Sequence, residues 1–141
     1  MSDKKIKKGF TIVELLIVIV VIGILSTIVI VTYQGVQDKA NAVANLTSAK
    51  EVLGKAEAFN SLNTNYPTSN SVFSATDADS SVKLSTKTAS NLGTTAPSAT
   101  AKSAILYAPC PAASSAPTGA KVSYWDNDKK AIVVLTAGIG C

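Results

Sequence analysis

The sequence predicts an α+β chain in which one long amino-terminal helix packs on a small antiparallel β-sheet head. Three observations support this fold class: an apolar run at residues 10–31, an amphipathic pattern with helical spacing that continues to about residue 62, and two β-type segments near the carboxyl end. A chain of 141 residues can hold one small domain and an appended element. We therefore expect a basic leader at 1–9, a helix at 10–62 and a head at 63–141.

Positive charge is concentrated at the amino terminus. Four of the 13 lysines lie in the first eight residues, where only Asp3 opposes them. Residues 10–141 carry nine lysines and eight acidic residues, so the formal charge of +4 falls to +1 without the leader. Because arginine is absent, bidentate contacts to phosphates and base edges are not available, and we expect no strong nucleic-acid binding by the single chain. A lysine cluster before an apolar span instead holds that end in the cytoplasm.

The composition also excludes several classes of enzyme. The chain has no histidine, and its two cysteines are Cys110 and Cys141. A Cys/His zinc site or a His-based triad cannot be built from these residues, so we expect no catalytic residue, no metal site, no cofactor and no enzymatic activity. Two cysteines in a region beyond a membrane favour one disulfide in an oxidising compartment, and the alternative is two unrelated buried thiols.

The apolar run at 10–31 reads FTIVELLIVIVVIGILSTIVIV. It is long enough to cross a bilayer core, which takes about 20 helical residues. The competing interpretation is an ordinary cleaved secretory signal, whose apolar region is about 7–15 residues long and ends at a small-residue site. Residues 28–34, IVIVTYQ, offer no such site. We therefore expect a membrane-spanning helix at 10–31.

Glu14 is the anomalous residue of this run. A carboxylate inside a membrane span costs on the order of 2.5–3.5 kcal/mol on insertion scales. One explanation is that Glu14 lies near the cytoplasmic interface or is protonated. The other is that it pairs with a positive group on another copy of the chain.

The segment KIKKGFTIVELL at residues 5–16 resembles the leader and junction of type IV pilins and pseudopilins, which is a class III signal peptide. The resemblance implies a type IV pilin-like fold and a cut by prepilin peptidase between Gly9 and Phe10, with methylation of the new amino group of Phe10. It also implies that Glu14 pairs with that amine on a neighbouring subunit. A disulfide-bounded carboxy-terminal region, here between Cys110 and Cys141, is similar to that of many pilins.

An apolar stripe predicts that the helix continues half-buried beyond the membrane. The stripe comprises Ala42, Leu46, Ala49, Leu53 and Ala56, widened by Val52 and Phe59. Glu51 and Lys55 have the favourable order for an ion pair on the helix surface. Asn and Ser before Pro67 end the helix near Leu62. The alternative is a membrane helix and a separate soluble helix, interrupted at Gly35.

The head contains one predicted hairpin. Residues 121–125 and 131–135 alternate as strands around a turn at 126–130, and residues 105–107 supply a third strand. Residues 68–103, rich in Ser, Thr, Ala and Asn, are expected to form a surface loop with short strands at most, or a flexible or O-glycosylated segment. The Asn45-Leu46-Thr47 sequon lies inside the predicted helix and is interpreted as chance. The acidic turn at 126–128 is interpreted as solvated rather than as a calcium site, because the later Glu of an EF-hand is missing.

The resemblance implies a structural subunit of a type IV pilus or pilus-like filament that serves adhesion, motility or DNA uptake. The expected partners are further copies of the chain in a helical filament, prepilin peptidase and the pilus assembly machinery. The precursor is expected to cross the inner (cytoplasmic) membrane once with its head outside, and the assembled form to be a cell-surface filament. The alternatives are a pseudopilin of a type II secretion or competence system and a monomeric membrane-anchored surface binding protein.

Overall fold

A computed structural model describes residues 9–74 and 79–141, so most of the expected leader lies outside the described residues. The elements are helix α1 (Ile12–Asn63), a 3₁₀ turn (Asn70–Phe73), helix α2 (Thr86–Asn91) and strands β1 (Leu92–Gly93), β2 (Ile105–Cys110), β3 (Gly119–Asp126) and β4 (Ala131–Gly138). The predicted α+β class is therefore confirmed. The chain divides into two compact units between Gln37 and Asp38, and each is described separately.

The amino-terminal unit consists mainly of the apolar part of α1. This helix is long and apolar enough to cross a membrane, judged by length and composition. Three hydroxyl groups in the segment each donate to the carbonyl four residues earlier, at 2.7, 3.0 and 2.9 Å: Ser26, Thr27 and Thr32. These polar groups are thus satisfied within the helix, as a lipid environment requires.

Helix α1 is not interrupted at Gly35, where the sequence allowed a break. It ends at Asn63, one residue beyond the expected end. There Thr64 adopts a left-handed φ of 60°. The Thr64 amide donates to the Asn60 carbonyl at 2.8 Å, and the Asn63 side chain donates to the Phe59 carbonyl at 3.0 Å, so local bonds satisfy the last turn.

The sheet has the order β1-β2-β3-β4 and is mixed rather than wholly antiparallel. Strands β2 and β3, and β3 and β4, pair antiparallel, which confirms the hairpin and the third strand. The expected antiparallel strands are joined by one parallel pair that was not expected, in which β1 pairs with β2 through Leu92 opposite Ile105. Strand β1 is two residues long and has no alternating pattern that sequence reasoning could detect.

The predicted stripe of α1 forms the helical side of the core. Ala49, Val52 and Ala56 are fully buried, and the larger stripe residues Leu46, Leu53 and Phe59 pack against them while partly buried. The inner face of the sheet supplies the opposing side chains: Ile105, Tyr107, Val122 and Tyr124. Burial of both apolar faces in one cluster joins the helix to the sheet.

The segment at 68–103 contributes more to the core than its composition indicated. Its large apolar side chains are buried or, at Val72 and Leu92, partly buried, and Phe73 packs edge-on against Tyr107 with ring centroids 5.1 Å apart. The Tyr107 hydroxyl donates to the Pro67 carbonyl at 2.7 Å, and burial raises the pKa of this phenol far above its ordinary value. The expectation of short strands at most is wrong, because this segment also contains the 3₁₀ turn and α2.

Glu51 anchors α2 rather than pairing simply with Lys55. Its carboxylate accepts hydrogen bonds from the Ser85 amide at 2.7 Å, the Ser85 hydroxyl at 2.9 Å and the Thr88 hydroxyl at 2.5 Å. Lys55 donates to the Ser80 carbonyl at 3.3 Å. Partial burial raises the pKa of the Glu51 carboxyl, but the hydrogen bonds from Thr88 and Ser85 outweigh it, so the pKa lies below its ordinary value.

The carboxyl end of the sheet is closed by a tight backbone approach and a disulfide. Gly138 has a φ of +74°, and a Cβ there would lie 2.3 Å from the Thr118 carbonyl oxygen and 2.7 Å from Cε2 of Tyr66. Cys110 and Cys141 are bonded, with their Cα atoms 5.1 Å apart. Cross-linking this loop contributes roughly 3–4 kcal/mol in the chain-entropy model.

Acid is expected to destabilise the head through Glu51. Because its folded pKa is depressed, its stabilisation is present above the unfolded value of about 4.3 and is lost as the pH falls through the folded pKa. Glu51→Gln should lower stability at neutral pH and flatten the acid side of the profile. Urea unfolding of the full chain in detergent, followed by Trp125 fluorescence, measures both. An equal loss for Glu57→Gln, at an exposed position of the same helix, would contradict the assignment.

Two glycine substitutions should have opposite effects. Gly138→Ala places a Cβ into backbone and ring atoms at a positive φ and should cost more than about 2 kcal/mol of unfolding free energy. Gly54→Ala, at an exposed helix position with no atom within 4 Å of the new Cβ, should instead stabilise by up to about 1 kcal/mol. The same urea titrations compare them, and a tolerated Gly138→Ala would refute the close approach.

Candidate processing and assembly segment

The predicted cleavage position lies outside the helix. Gly9 and Phe10 precede α1, which begins at Ile12, and both are exposed, Phe10 by 90%. A Cβ built on Gly9 would have no atom within 4 Å, so packing does not require glycine at this position. The peptide between these residues is therefore sterically open.

Thr11 and Glu14 form a capping box at the start of α1. The Glu14 amide donates to the Thr11 hydroxyl oxygen at 3.2 Å. In return, Oε2 of Glu14 accepts from the Thr11 amide and the Thr11 hydroxyl, both at 2.9 Å. This reciprocal arrangement satisfies backbone donors that the first helical turn leaves open, and it places a carboxylate at the positive end of the helix dipole.

Glu14, for which the sequence suggested no partner within its own chain, is thus hydrogen-bonded to Thr11. In the sequence, Glu14 stands out because of its position in an apolar run, whereas Thr11 does not. The signal was present, since Thr-x-x-Glu before an apolar helix is the capping-box pattern. The capping box uses only Oε2 of Glu14, so it does not occupy the whole carboxylate.

Large apolar side chains are exposed on every side of α1 after this cap. Their exposed fractions lie between 47% at Val21 and 83% at Ile12, and they continue as far as Val36. A helix that is apolar all round is normally buried in lipid or among other helices. This segment therefore presents an uncovered apolar cylinder.

The turn between β3 and β4 is less solvated than expected. Asp126 and Asn127 are 6% and 1% exposed, so the interpretation of both as solvated turn residues is wrong. Oδ1 of Asp126 accepts from the amides of Asp128 and Lys129, both at 3.0 Å, and its Oδ2 lies 3.2 Å from Nζ of Lys129. These bonds, the Lys129 amide first, lower the pKa of Asp126. Within the described ranges, no three His, Cys, Asp or Glu residues group as metal ligands.

The sequon asparagine is part of the fold. Nδ2 of Asn45 donates to the carbonyl of Lys102 at 2.6 Å and to that of Trp125 at 2.8 Å. The residue is 8% exposed. A glycan would replace one of the two hydrogens on this nitrogen and so remove at least one of the bonds, which agrees with the interpretation of the sequon as chance.

Removal of the capping hydroxyl should loosen the first turn of α1. In Thr11→Val the Glu14 amide loses its acceptor, and the loss of about 1 kcal/mol for such a cap corresponds to about fivefold faster amide exchange. Hydrogen exchange of the Glu14 amide, measured by NMR in detergent micelles, tests this. Thr11→Ser keeps the hydroxyl and should retain most of the protection, whereas unchanged exchange in the valine variant would disprove the cap.

Comparison with known proteins adds one finding to this geometry. The prokaryotic N-terminal methylation motif matches residues 4–30, which include the leader lysines, Gly9, Phe10 and Glu14. No curated protein and no solved structure gives a significant match. The chain therefore carries the class III signal peptide of type IV pilin-like proteins, followed by an α+β architecture of the same kind.

Proposed function

We propose that the chain is the precursor of a structural subunit of a type IV pilus or pilus-like filament. The observation that carries this proposal is the continuity of the methylation motif at 4–30 with an apolar helix whose side chains are exposed on every side. The motif and the architecture indicate a structural protein. The exposed apolar surface of this helix must be kept from water. We propose that lipid covers it in the precursor and that other copies of α1 cover it in the filament.

The proposed cut between Gly9 and Phe10 changes the charge of the segment. It removes four lysines and Asp3, a net charge of +3, and leaves residues 10–141 with +1 from side chains. It also creates an α-amino group on Phe10, which the proposed methylation keeps basic. The product has lost the lysine cluster that holds the amino end of the precursor in the cytoplasm and has gained one positive group at its new amino terminus.

We assign Glu14 to register selection during assembly. In the isolated chain its Oε2 is held by Thr11, and the proposed partner in the filament is the Phe10 amine of a neighbouring subunit. A charge buried among apolar helices is costly unless it is paired, so registers that leave Glu14 unpaired are disfavoured. Because one helix offers its amino end to a different position on the next, the contact repeats without closing and propagates as a fibre.

We propose where each part of the precursor lies and the order in which other proteins act on it. Residues 1–9 are the cleaved leader, residues 10–31 cross the cytoplasmic membrane once, and the head beyond them lies outside the cytoplasm. Prepilin peptidase acts first and the pilus assembly machinery then extracts the subunit into the filament. Adhesion, motility and DNA uptake are the expected uses of such a filament.

The mass of the mature chain tests the processing step. We expect purified protein from the membrane and from sheared filaments to begin at Phe10 and to carry a methyl group on its α-nitrogen. Intact-mass and terminal-peptide measurements detect both. A chain that retains Met1–Gly9 would contradict the proposal and would favour a monomeric membrane-anchored surface protein.

The Glu14 assignment predicts a selective loss of assembly. Glu14→Ala should insert into the membrane normally, because it removes a charge from the span, but should give at least about tenfold less sheared filament, in line with loss of a buried charge pair. Quantitative immunoblots of membrane and filament fractions measure the two effects. Glu57→Ala, at an exposed position of the head part of α1, is the matched control. An undiminished filament yield in Glu14→Ala would rule out the pairing.

A further inference from the structure

Strand β4 forms an edge of the sheet and has no strand on its outer side. The strand order is β1-β2-β3-β4, and β3 pairs with β4 in an unbroken register over residues 119–126 and 131–138. Natural proteins protect such edges with lysine, proline, a bulge or a covering segment. The β4 sequence AIVVLTAG contains no charged residue and no proline, and its register has no bulge. The edge therefore lacks the usual protection in both its sequence and its register.

Three residues of β4 point their backbone groups toward the free edge. The Ile139 amide donates to the Thr118 carbonyl at 3.0 Å, one position beyond the last pair of the ladder, and this bond fixes the alternation. The odd-numbered residues of β4 therefore bond to β3, and the outward residues are Ile132, Val134 and Thr136. In the described part of the chain, no hydrogen bond reaches the outward amide or carbonyl of these three residues.

The same three residues place their side chains on the outer face of the sheet. Val133 and Leu135 alternate with them and pack against the core. Ile132 and Val134 are 51% and 49% exposed, and Ile132 lies opposite Trp125 of β3. An open row of backbone groups and an exposed apolar surface thus occur together, and a further strand would cover both.

The usable edge is bounded at both ends. Lys130 and Gly138 have left-handed φ values of 53° and 74°, so the extended conformation ends before each of them. Val134 is the midpoint of the residues that remain. Two copies that run antiparallel with Val134 opposite Val134 therefore pair every outward residue, Ile132 of each copy with Thr136 of the other. A shift of two residues leaves one outward residue of each copy without an extended partner.

We propose that two copies of the head associate through antiparallel pairing of their β4 strands. The two four-stranded sheets then form one sheet of eight strands, centred on the two copies of Val134. The apolar side chains of Ile132 and Val134 in each copy lie beside the same strand of the other copy on the outer face. Because the strand carries no charge, no like-charge repulsion within it opposes the contact. The contact is isologous and closes as a pair.

The symmetry of this pairing decides which copies can meet. The two-fold axis of an antiparallel strand pair is perpendicular to the sheet, so it reverses every direction that lies in the sheet plane. The head part of α1, residues 38–63, packs on the face of the sheet, and its two copies therefore run in opposite directions. The next step rests on the proposed function, in which all subunits of one filament run the same way. The β4 contact then joins two filaments that lie side by side with opposite polarity.

Cysteine cross-linking of the full chain in detergent tests the pairing and its register. Val134→Cys should form an intermolecular disulfide under mild oxidation, because the two Cα atoms face each other at about 5.5 Å. Ile132→Cys and Thr136→Cys should cross-link weakly alone and strongly when the two variants are mixed. Lys121→Cys, exposed on the neighbouring strand, is the control. A cross-link at position 134 no stronger than that at 121, or one formed with a different protein instead of a second copy, overturns the proposal.

A charge on the edge tests the same contact in filaments. Val134→Lys should reduce the paired fraction of the full chain in detergent about fivefold, because two like charges then face each other across the axis. Electron microscopy of sheared filaments should show side-by-side pairs for the unchanged chain and single filaments for this variant. Leu62→Lys, another exposed apolar position of the head, should keep the pairs. An unchanged paired fraction in Val134→Lys refutes the β4 contact. Absence of any filament would contradict the proposed function instead, and the cross-link in detergent would still decide the pairing.

Discussion

The structure depends on one constraint: the apolar side chains between Ile12 and Val36 surround their helix completely and must be removed from water. Several local features follow from it. The hydroxyls of Ser26, Thr27 and Thr32 donate to their own helix, because an apolar surrounding supplies no other acceptor. The capping box satisfies the first turn in the same way. These three hydroxyls and the first turn of the helix are thus hydrogen-bonded within the chain.

The part of α1 that belongs to the head differs, because one of its faces is buried against the sheet and the rest is exposed. Small residues Ala49 and Ala56 let the sheet approach closely. The side chains of Asn45 and Glu51 bond to Lys102 and Ser85, which lie in a segment without a regular sequence pattern. The helix therefore organises the head twice, through an apolar stripe and through polar contacts beside it. The polar contacts explain how the segment at 68–103, which has few large apolar residues, adopts a defined backbone conformation.

The sequence predicted the features that arise from local periodicity. The span, the stripe of α1 and the hairpin of β3 and β4 each repeat a pattern over many residues, so their existence could be read directly. Strand β1, helix α2 and the burial of Asn127 could not, because each depends on contacts between residues far apart in the chain. Thr11 is an intermediate case. Its four-residue pattern with Glu14 was visible, but the charge of Glu14 drew the interpretation towards a partner outside the chain.

The capping box has a consequence for the order of events at the amino terminus. Thr11 and Glu14 both lie on the carboxyl side of the proposed cut, so the cap that starts α1 is common to substrate and product. Proteolysis can then alter the electrostatics of the segment without any refolding of its secondary structure. In the proposed processing, covalent maturation and conformational change are thereby uncoupled, and the cut would release a helix whose first turn is already formed.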